Sequence, residues 1–145
     1  MSDLDLRIAT SEEDVLKVLV VRGIVFIEEQ QVDWEGEIDE FEKSATHFLG
    51  EVDGQPVAAG RLRFFDDEWV KVERIAVRSR WRGRGFAKEI VAFMLAHARD
   101  KGAKKFKMHA QVYLDDFYSE FGFRREGAVF DECGIDHILM VREDD

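Results

Sequence analysis

Residues 69–112 read WVKVERIAVRSRWRGRGFAKEIVAFMLAHARDKGAKKFKMHAQV, and this stretch decides the fold. Alternating side chains predict a strand over Trp69 to Val77, and an apolar stripe predicts a helix from about Gly85 to Arg99 that stops at Gly102. The run KKFKMHAQV then predicts another strand. Such a strand–helix–strand unit is a crossover whose two strands are parallel. Because ligands of these units bind beyond the carboxyl ends of the strands, a site is expected just after Val77.

The first of these strands carries a carboxylate within its alternating pattern. A period of two predicts one face with Val70, Val72, Arg74 and Ala76, and the other with Lys71, Glu73, Ile75 and Val77. Glu73 is therefore expected on the same face as Ile75. A carboxylate there could accept a substrate proton directly or through water, and an ordinary solvent-facing residue is the alternative.

The loop between this strand and the helix, WRGRGFA, concentrates positive charge in a chain whose formal net charge is -10. Gly83 and Gly85 allow positive φ and close approach of a ligand to the backbone. The first helix amides lack an intrahelical acceptor, and with the helix dipole and Arg80, Arg82 and Arg84 they favour a phosphate group. The loop thus predicts a pyrophosphate cradle, although G-x-G also serves ordinary turns. It is neither a Walker A loop nor a full dinucleotide fingerprint.

The remaining chain is a series of short elements. Its patterns predict a strand at Leu4 to Ala9, a helix opened by a capping box of Thr10 and Glu13, a helical piece at VFIEEQ and a long acidic loop at WEGEIDEFEKS. Two extended runs meet at Asp53-Gly54, a strong hairpin signal. A short helix at LDDFYSEF and a closing hairpin around Gly134 complete the order β, α, α, a β meander, α, β, α, β, β.

Composition limits the class of protein. With 145 residues and 46% hydrophobic content, the chain can bury one substantial core, so a single domain over 1–145 is expected. Its 31 Asp and Glu against 21 Lys and Arg disfavour nucleic-acid binding. The sequence shows no secretory signal and no apolar run near the roughly 20 residues of a membrane span. The single cysteine, Cys133, indicates neither a disulfide nor a zinc site. A cytoplasmic protein without metal, nucleic-acid or membrane partners is expected.

Two motifs resemble those of the GNAT N-acyltransferase superfamily. RGRGFA is similar to the acetyl-CoA motif R/Q-x-x-G-x-G/A, with Arg82, Gly85 and Ala87 at the defining positions, and FYSEFGF is similar to F-Y-x-x-x-G-F. Three further segments resemble those of the ElaA-like branch of small predicted acyltransferases: VRGIVFIEEQQV, ATHF and DECGIDHILM. The resemblance covers nearly the whole chain. It implies an α/β (α+β) fold, with a central mixed, mostly antiparallel sheet of about seven strands, a parallel splayed pair and about four flanking helices.

The resemblance also implies a reaction. An acetyl group would pass from acetyl-CoA (CoA as product) to a primary amine of a small molecule or peptide by direct attack. The pantetheine arm would pair with the backbone of Ile75, Ala76 and Val77. The pyrophosphate would be held by the amides of Arg82, Gly83, Arg84, Gly85, Phe86, Ala87 and Lys88.

Catalytic and acceptor-binding residues follow from the same resemblance. Tyr118 matches the family's tyrosine that protonates the departing thiolate, a step for which a phenol is suited by its pKa near 10 against about 8.5 for a thiol. Glu73 is the leading candidate base. Glu28 and Glu29, with the acidic loop 33–42, would attract a cationic amine, although charges at a helix end are often simply solvated.

Plainer alternatives accompany these roles. Tyr118 shares helical spacing with Phe117 and Phe121 and could be a core aromatic. The histidines are each more typical of structural positions, and His109, on the strand facing the cofactor, is the one to test. The alternative function is a non-catalytic acyl-CoA-binding module, but such a module would not need the Tyr118 hydroxyl. A homodimer is compatible with the sequence, which does not fix an oligomeric state.

Overall fold

The structure is a computed structural model that describes residues 3–145. Its strands are β1 (Asp5–Ala9), β2 (Thr46–Val52), β3 (Gln55–Phe64), β4 (Trp69–Val77), β5 (Lys105–Gln111), β6 (Arg124–Glu132) and β7 (Ile135–Glu143). Its helices are α1 (Glu12–Arg22), α2 (Trp34–Glu37), α3 (Phe86–Asp100) and α4 (Asp115–Ser119). A π-helical segment covers Gly23–Glu29, and 3-10 turns cover Ser79–Trp81 and Val112–Leu114.

The strands form one seven-stranded sheet in the order β1-β2-β3-β4-β5-β7-β6. Every neighbouring pair is antiparallel except β4 and β5, which are parallel and joined by α3. The predicted mixed, mostly antiparallel sheet is therefore confirmed, as are the flanking helices and the crossover. No helix within residues 3–145 combines the length and apolar character needed to cross a membrane.

Apolar residues are buried on both faces of the sheet. The larger cluster packs α3 residues such as Ile90 and Met94 against Phe48, Val72 and Phe106. A second cluster packs α1 against the opposite face. At roughly 25 cal/mol per Å² of buried apolar surface, this two-sided burial provides the main stabilisation of the sheet.

The two parallel strands separate soon after they begin. β4 pairs with β5 only from Trp69–Lys105 to Lys71–Lys107. Beyond Lys71 the two strands no longer pair with each other, although β4 continues to Val77 and β5 to Gln111. This confirms the splayed pair and opens a gap in the middle of the sheet.

A bulge in β4 changes the faces predicted from simple alternation. Arg74 has φ 58, and the β3–β4 register shifts between Ala59 and Arg61. An extra residue at a bulge reverses the alternation that follows it. Glu73 therefore shares the α1 face with Ala76, while Ile75 packs into the α3-side cluster. The expectation that Glu73 and Ile75 share a face was wrong.

Local details near the N-terminus also differ from the sequence patterns. The first helix is capped by Ser11, whose hydroxyl accepts a hydrogen bond from the Asp14 amide at 3.1 Å, rather than by the predicted box of Thr10 and Glu13. The predicted helical piece is the π-helical segment that directly continues α1. The predicted acidic loop contains the short α2.

Candidate active site

A cavity of about 280 Å³ lies where β4 and β5 separate. Its wall includes Ile75 and Met108, which pack on the α3 side, and Glu73, which lies on the α1 side. The gap between the strands thus connects the two faces of the sheet. Two substrates that approach from opposite faces can meet in such a space.

Tyr118 projects from α4 into the wall of this cavity. Its side chain is buried, with 6% relative exposure, and its ring packs edge-on against Phe117 at a centroid distance of 5.0 Å. Burial, with a smaller contribution from Tyr113, raises the pKa of Tyr118 above that of an ordinary phenol. A phenol in this position keeps its proton across the physiological pH range, as a proton donor must.

Glu73 also lines the cavity, but its carboxylate is already occupied. Arg61 donates to Oε1 through Nε at 3.0 Å and Nη2 at 2.8 Å, and the Nε of Arg63 donates to the same oxygen. Burial disfavours the charged form, yet the hydrogen bond from Arg63 and the charge of Arg61 outweigh it and lower the pKa of Glu73. Glu73 is therefore a weaker base than an ordinary carboxylate.

The loop before α3 has the geometry of an anion cradle. Gly83 and Gly85 both have φ 80, a left-handed conformation that L side chains rarely adopt, and Gly85 caps the helix. Among residues 3–145, no heavy atom beyond the glycine itself and its two chain neighbours lies within 4 Å of the position that a Cβ would take at either glycine. A side chain there would fill the open space before the first helix amides. The residues present therefore fit a pyrophosphate held by backbone N–H groups.

The contacts of Arg82 reduce the number of amides in this cradle that can bind an anion. Its amide donates to the Ser79 carbonyl at 3.2 Å, so the amides that are free to bind an anion begin at Gly83 rather than at Arg82. The Nε of Arg82 donates to the Val77 carbonyl at 2.8 Å, a contact that ties the loop to the end of β4.

Glu29 lies beside the loop that precedes α3. Its carboxylate accepts from Arg82 through Nη1 at 2.5 Å and Nη2 at 2.8 Å. Glu28 is exposed and is absent from the described lining of the cavity. The neighbouring Gln30 does line the cavity, where its Oε1 accepts from Gln111 at 2.9 Å. The wider π-helical turn shifts each side chain relative to its place in an α-helix, and in this arrangement Glu29 meets Arg82.

The acidic loop mainly neutralises buried arginines. Arg22 and Arg61 are both fully buried. Arg22 binds Glu37 at 2.6 Å and Glu42 at 2.8 Å, and Arg61 binds Asp39 at 2.8 Å. Burial opposes ionisation of Asp39 and Glu42, but hydrogen bonds from Arg61 and Arg22 respectively lower the pKa of each carboxylate. The long-range attraction predicted for this loop is weakened, since its inner charges are already balanced.

A polar cluster on the cavity wall was only partly foreseen. His109 on β5, Glu132 at the end of β6 and His137 on β7 all line the cavity. The Nδ1 of His109 lies 3.0 Å from Glu132. Strand periodicity places His109 and Gln111 on one face, but which hairpin residues face them depends on the β5–β7 and β6–β7 registers.

Comparison with known proteins adds independent findings. The chain matches the protein family described as Acetyltransferase (GNAT) domain over residues 10–143. It is 36% identical over 137 residues to the uncharacterized N-acetyltransferase YjcF of Bacillus subtilis (strain 168), covering 94% of this chain and 97% of that protein. The crystal structure of Escherichia coli ElaA is similar with a TM-score of 0.87 at 28% identity, covering 97% of this chain and 99% of that one. A GNAT family acetyltransferase from Elizabethkingia anophelis with acetyl-CoA bound shares the fold, with a TM-score of 0.75 at 17% identity over 99% of both chains.

Proposed function

The chain belongs to the GNAT acetyltransferase family, and from that premise we propose that it transfers an acetyl group from acetyl-CoA to a primary amine of a small molecule or peptide. The family resemblance predicted from the sequence is confirmed, and with it an acyltransferase activity. The observation that carries the proposal is the cavity in the β4–β5 gap, which is lined by Tyr118 and lies beyond the paired part of the two strands.

The donor would be held by backbone groups. The amides before and within the first turn of α3 would bind the pyrophosphate, and they belong to Gly83, Arg84, Gly85, Phe86, Ala87 and Lys88. Ile75 and Ala76, on the part of β4 that does not pair with β5, offer backbone groups for the pantetheine arm, and the Val77 carbonyl already accepts one hydrogen bond from Arg82. Acetyl-CoA supplies the thioester that is the acyl donor.

Tyr118 would be the general acid. Its raised pKa keeps the hydroxyl protonated, and its place in the cavity wall lets the hydroxyl protonate the sulfur that departs as CoA. The ring packing on Phe117 does not compete with this role, because it uses the face and edge of the rings.

The acceptor amine must lose a proton before it can attack. Glu73 lines the cavity and remains one candidate for the proton acceptor, although its arginine partners make it weakly basic. Glu28 remains an untested prediction for acceptor binding. Glu29, paired with Arg82, fits a role at the donor entrance better.

Other expectations remain predictions at this stage. We propose one domain over 1–145, since a single continuous sheet includes both the first and the last strand. A cytoplasmic location and a homodimer are compatible with this arrangement and are not tested by it.

A screen of amines with acetyl-CoA tests the proposed function, with release of free CoA thiol as the signal. The panel should include small alkylamines, polyamines, amino acids and peptides with a free N-terminus or lysine. At least one class should release CoA well above the rate with buffer alone. Binding of acetyl-CoA without release by any amine would instead indicate the non-catalytic acyl-CoA-binding module.

A matched pair of glycine variants tests the donor site. Gly85→Val should abolish or weaken acetyl-CoA binding measured by calorimetry, because a branched side chain occupies the cradle. Gly102→Val places the same residue at the other end of α3, where φ is 91 and the space is also open. It should carry similar backbone strain and bind normally. Equal affinity in both folded variants would remove the cradle assignment.

A further inference from the structure

Three polar side chains from three strands form a cluster in the cavity wall: His109 on β5, Glu132 on β6 and His137 on β7. We propose that His109, oriented by Glu132, takes the proton from the ammonium group of the acceptor before acyl transfer. This inference rests on the proposed function and names the proton acceptor in that reaction.

The hydrogen bond to Glu132 determines which nitrogen of His109 is basic. The Nδ1 of His109 lies 3.0 Å from Oε1 of Glu132. The hydrogen bond from His109 lowers the pKa of Glu132, so its side chain is a carboxylate, which can only accept. Nδ1 therefore carries the hydrogen, and the lone pair of the neutral ring is on Nε2. Glu132 also stabilises the imidazolium that forms when Nε2 takes a proton.

His137 is oriented differently, although it belongs to the same cluster. Its Nδ1 lies 2.7 Å from the Ile135 carbonyl, to which it must donate, and its Nε2 faces Glu132 at 3.5 Å. Both ring nitrogens are thus directed at neighbouring protein groups. Its side chain is 9% exposed, against 35% for His109. His109 is consequently the imidazole that a substrate can reach.

Aromatic packing fixes the position of both rings. Phe130 lies edge-on to His109 at 5.1 Å and stacks on His137 at 6.0 Å. A base held between a carboxylate and an aromatic ring needs little reorganisation at the moment of proton transfer.

His109 is also better suited to this step than Glu73. Glu73 accepts hydrogen bonds from Arg61 and Arg63, and those cations stabilise its charged form. To take a proton it would have to give up part of that stabilisation inside a network whose arginine is fully buried. His109 gains an interaction on protonation instead, since its partner is an anion.

Charged groups on every neighbouring element will influence the pH dependence. Glu132 on β6 contacts His109 directly and also meets His137 on β7, and Lys71 and Glu73 on β4 line the same cavity. Glu37, Asp39, Arg63 and Arg74 also line the cavity. Lys71 pairs with Glu73, and Arg74 pairs with Glu37 and Asp39, whereas the ionic partner of His109 is the anion Glu132.

The proposed proton transfer balances with the rest of the reaction. One N–H bond of the ammonium breaks, the proton goes to Nε2 of His109, and the electron pair stays on the nitrogen. That pair forms the bond to the acyl carbon, and the electrons of the carbon–sulfur bond leave with sulfur. Tyr118 gives sulfur its proton and is reprotonated by the second proton that the nitrogen loses. The imidazolium then releases its proton to solvent, so the net products are amide, CoA thiol and one proton.

Two small nucleophiles distinguish a base from a structural residue. Methylamine is protonated near neutral pH and needs a base, whereas methoxyamine is already neutral and does not. His109→Asn keeps an N–H donor for Glu132 but removes the basic nitrogen. With methylamine and acetyl-CoA, it should lower the rate of CoA release by about 100-fold to 10,000-fold, the usual contribution of such a base. With methoxyamine, the rate should be unchanged.

His137→Asn is the matched control, since it makes the same change in the same cluster. It should leave the rates with both nucleophiles close to those of the wild type. Equal losses with methylamine and methoxyamine in His109→Asn would overturn the proposal, because they would indicate lost structure or binding. A methylamine-selective loss in His137→Asn or in folded Glu73→Gln, with none in His109→Asn, would assign the base elsewhere.

A second measurement does not depend on turnover. Long-range proton–nitrogen spectra of the imidazole rings should show His109 in the Nδ1–H tautomer at pH 8, and the Nε2–H tautomer would overturn the proposal. If the wild type failed to acylate any amine while this tautomer was observed, the proposed function would fail and the orientation of His109 by Glu132 would stand.

Discussion

Replacing Tyr118 by phenylalanine is the most direct test of the proposed acid. The change removes one hydroxyl and keeps the ring that packs on Phe117. If Tyr118 protonates the departing sulfur, turnover should fall by about 100-fold to 10,000-fold. At about 1.36 kcal/mol per factor of ten, this corresponds to roughly 2.7 to 5.4 kcal/mol of transition-state stabilisation. Affinity for acetyl-CoA should change little, because the amides of the cradle are untouched.

The same variant has a defined effect on stability. The Tyr118 side chain is buried and phenylalanine keeps its ring, so loss of the hydroxyl should alter the free energy of unfolding by no more than about 1 kcal/mol near neutral pH. The pKa of Tyr118 is raised in the folded protein, so an unfolded phenol ionises first as the pH rises. Wild-type stability is therefore fully present below pH ~10 and declines above it, by at most about 1.4 kcal/mol per pH unit. Tyr118→Phe should lack this decline.

The assay compares Tyr118→Phe with Tyr113→Phe, the same change at the only other tyrosine. Tyr113 lies in the preceding 3-10 turn with its side chain exposed and should tolerate the change. Single-turnover CoA release, with an acceptor from the amine screen, measures the chemical step rather than product release. Wild-type turnover in Tyr118→Phe under these conditions would refute the acid assignment, and Tyr118 would then be only a buried aromatic.

Three further predictions concern the buried network and the donor. Glu42→Gln should destabilise the protein by about 3 to 5 kcal/mol in urea unfolding, because it removes a partner of two fully buried arginines. The control Glu40→Gln changes an exposed neighbour, and its free energy of unfolding should stay within about 0.5 kcal/mol of the wild type. Equal losses in the two variants would contradict the network. The pKa of Glu42 is lowered to about 2, so its contribution to the free energy of unfolding is present above the unfolded pKa near 4.5 and is lost as the pH falls toward 2. Acid titration of Glu42→Gln should therefore show a flatter decline in stability than that of the wild type. Turnover should be unaffected by EDTA, since backbone amides and side chains of the chain itself are proposed to bind both substrates. If EDTA abolished activity and added zinc or magnesium restored it, a metal-independent reaction would be contradicted.

Local sequence patterns were sufficient to predict most of the elements. The alternation in β4, the glycines before α3, and the Asp53-Gly54 turn between β2 and β3 each act over a few residues. Their conformations follow from sterics and local hydrogen bonding, which are properties of short segments. The motif around Gly85 predicted the left-handed glycine loop at the start of α3 for the same reason, because free helix amides need no distant partner.

Predictions that depended on the direction of a side chain were less successful. The positive φ of Arg74 marks a bulge that reverses which face of the sheet each later side chain of β4 occupies. In the π-helical segment, the Glu29 side chain pairs with Arg82. A bulge or a π turn is stabilised by what packs against it, so a periodic pattern in one segment does not reveal it.

The sequence by itself determined the order of the elements, the glycine loop before α3 and the tyrosine at the second position of FYSEFGF. Only the tertiary structure decided which charged side chains pair with one another and which remain able to react with a substrate. The carboxylates of the acidic loop bind Arg22 and Arg61 across 15 to 22 residues of chain, and Glu132 meets His109 across 23. Such pairs form when the sheet registers and the packing of the loop bring distant residues within hydrogen-bond distance. The basicity of each side chain then follows from those neighbours, which no local pattern contains.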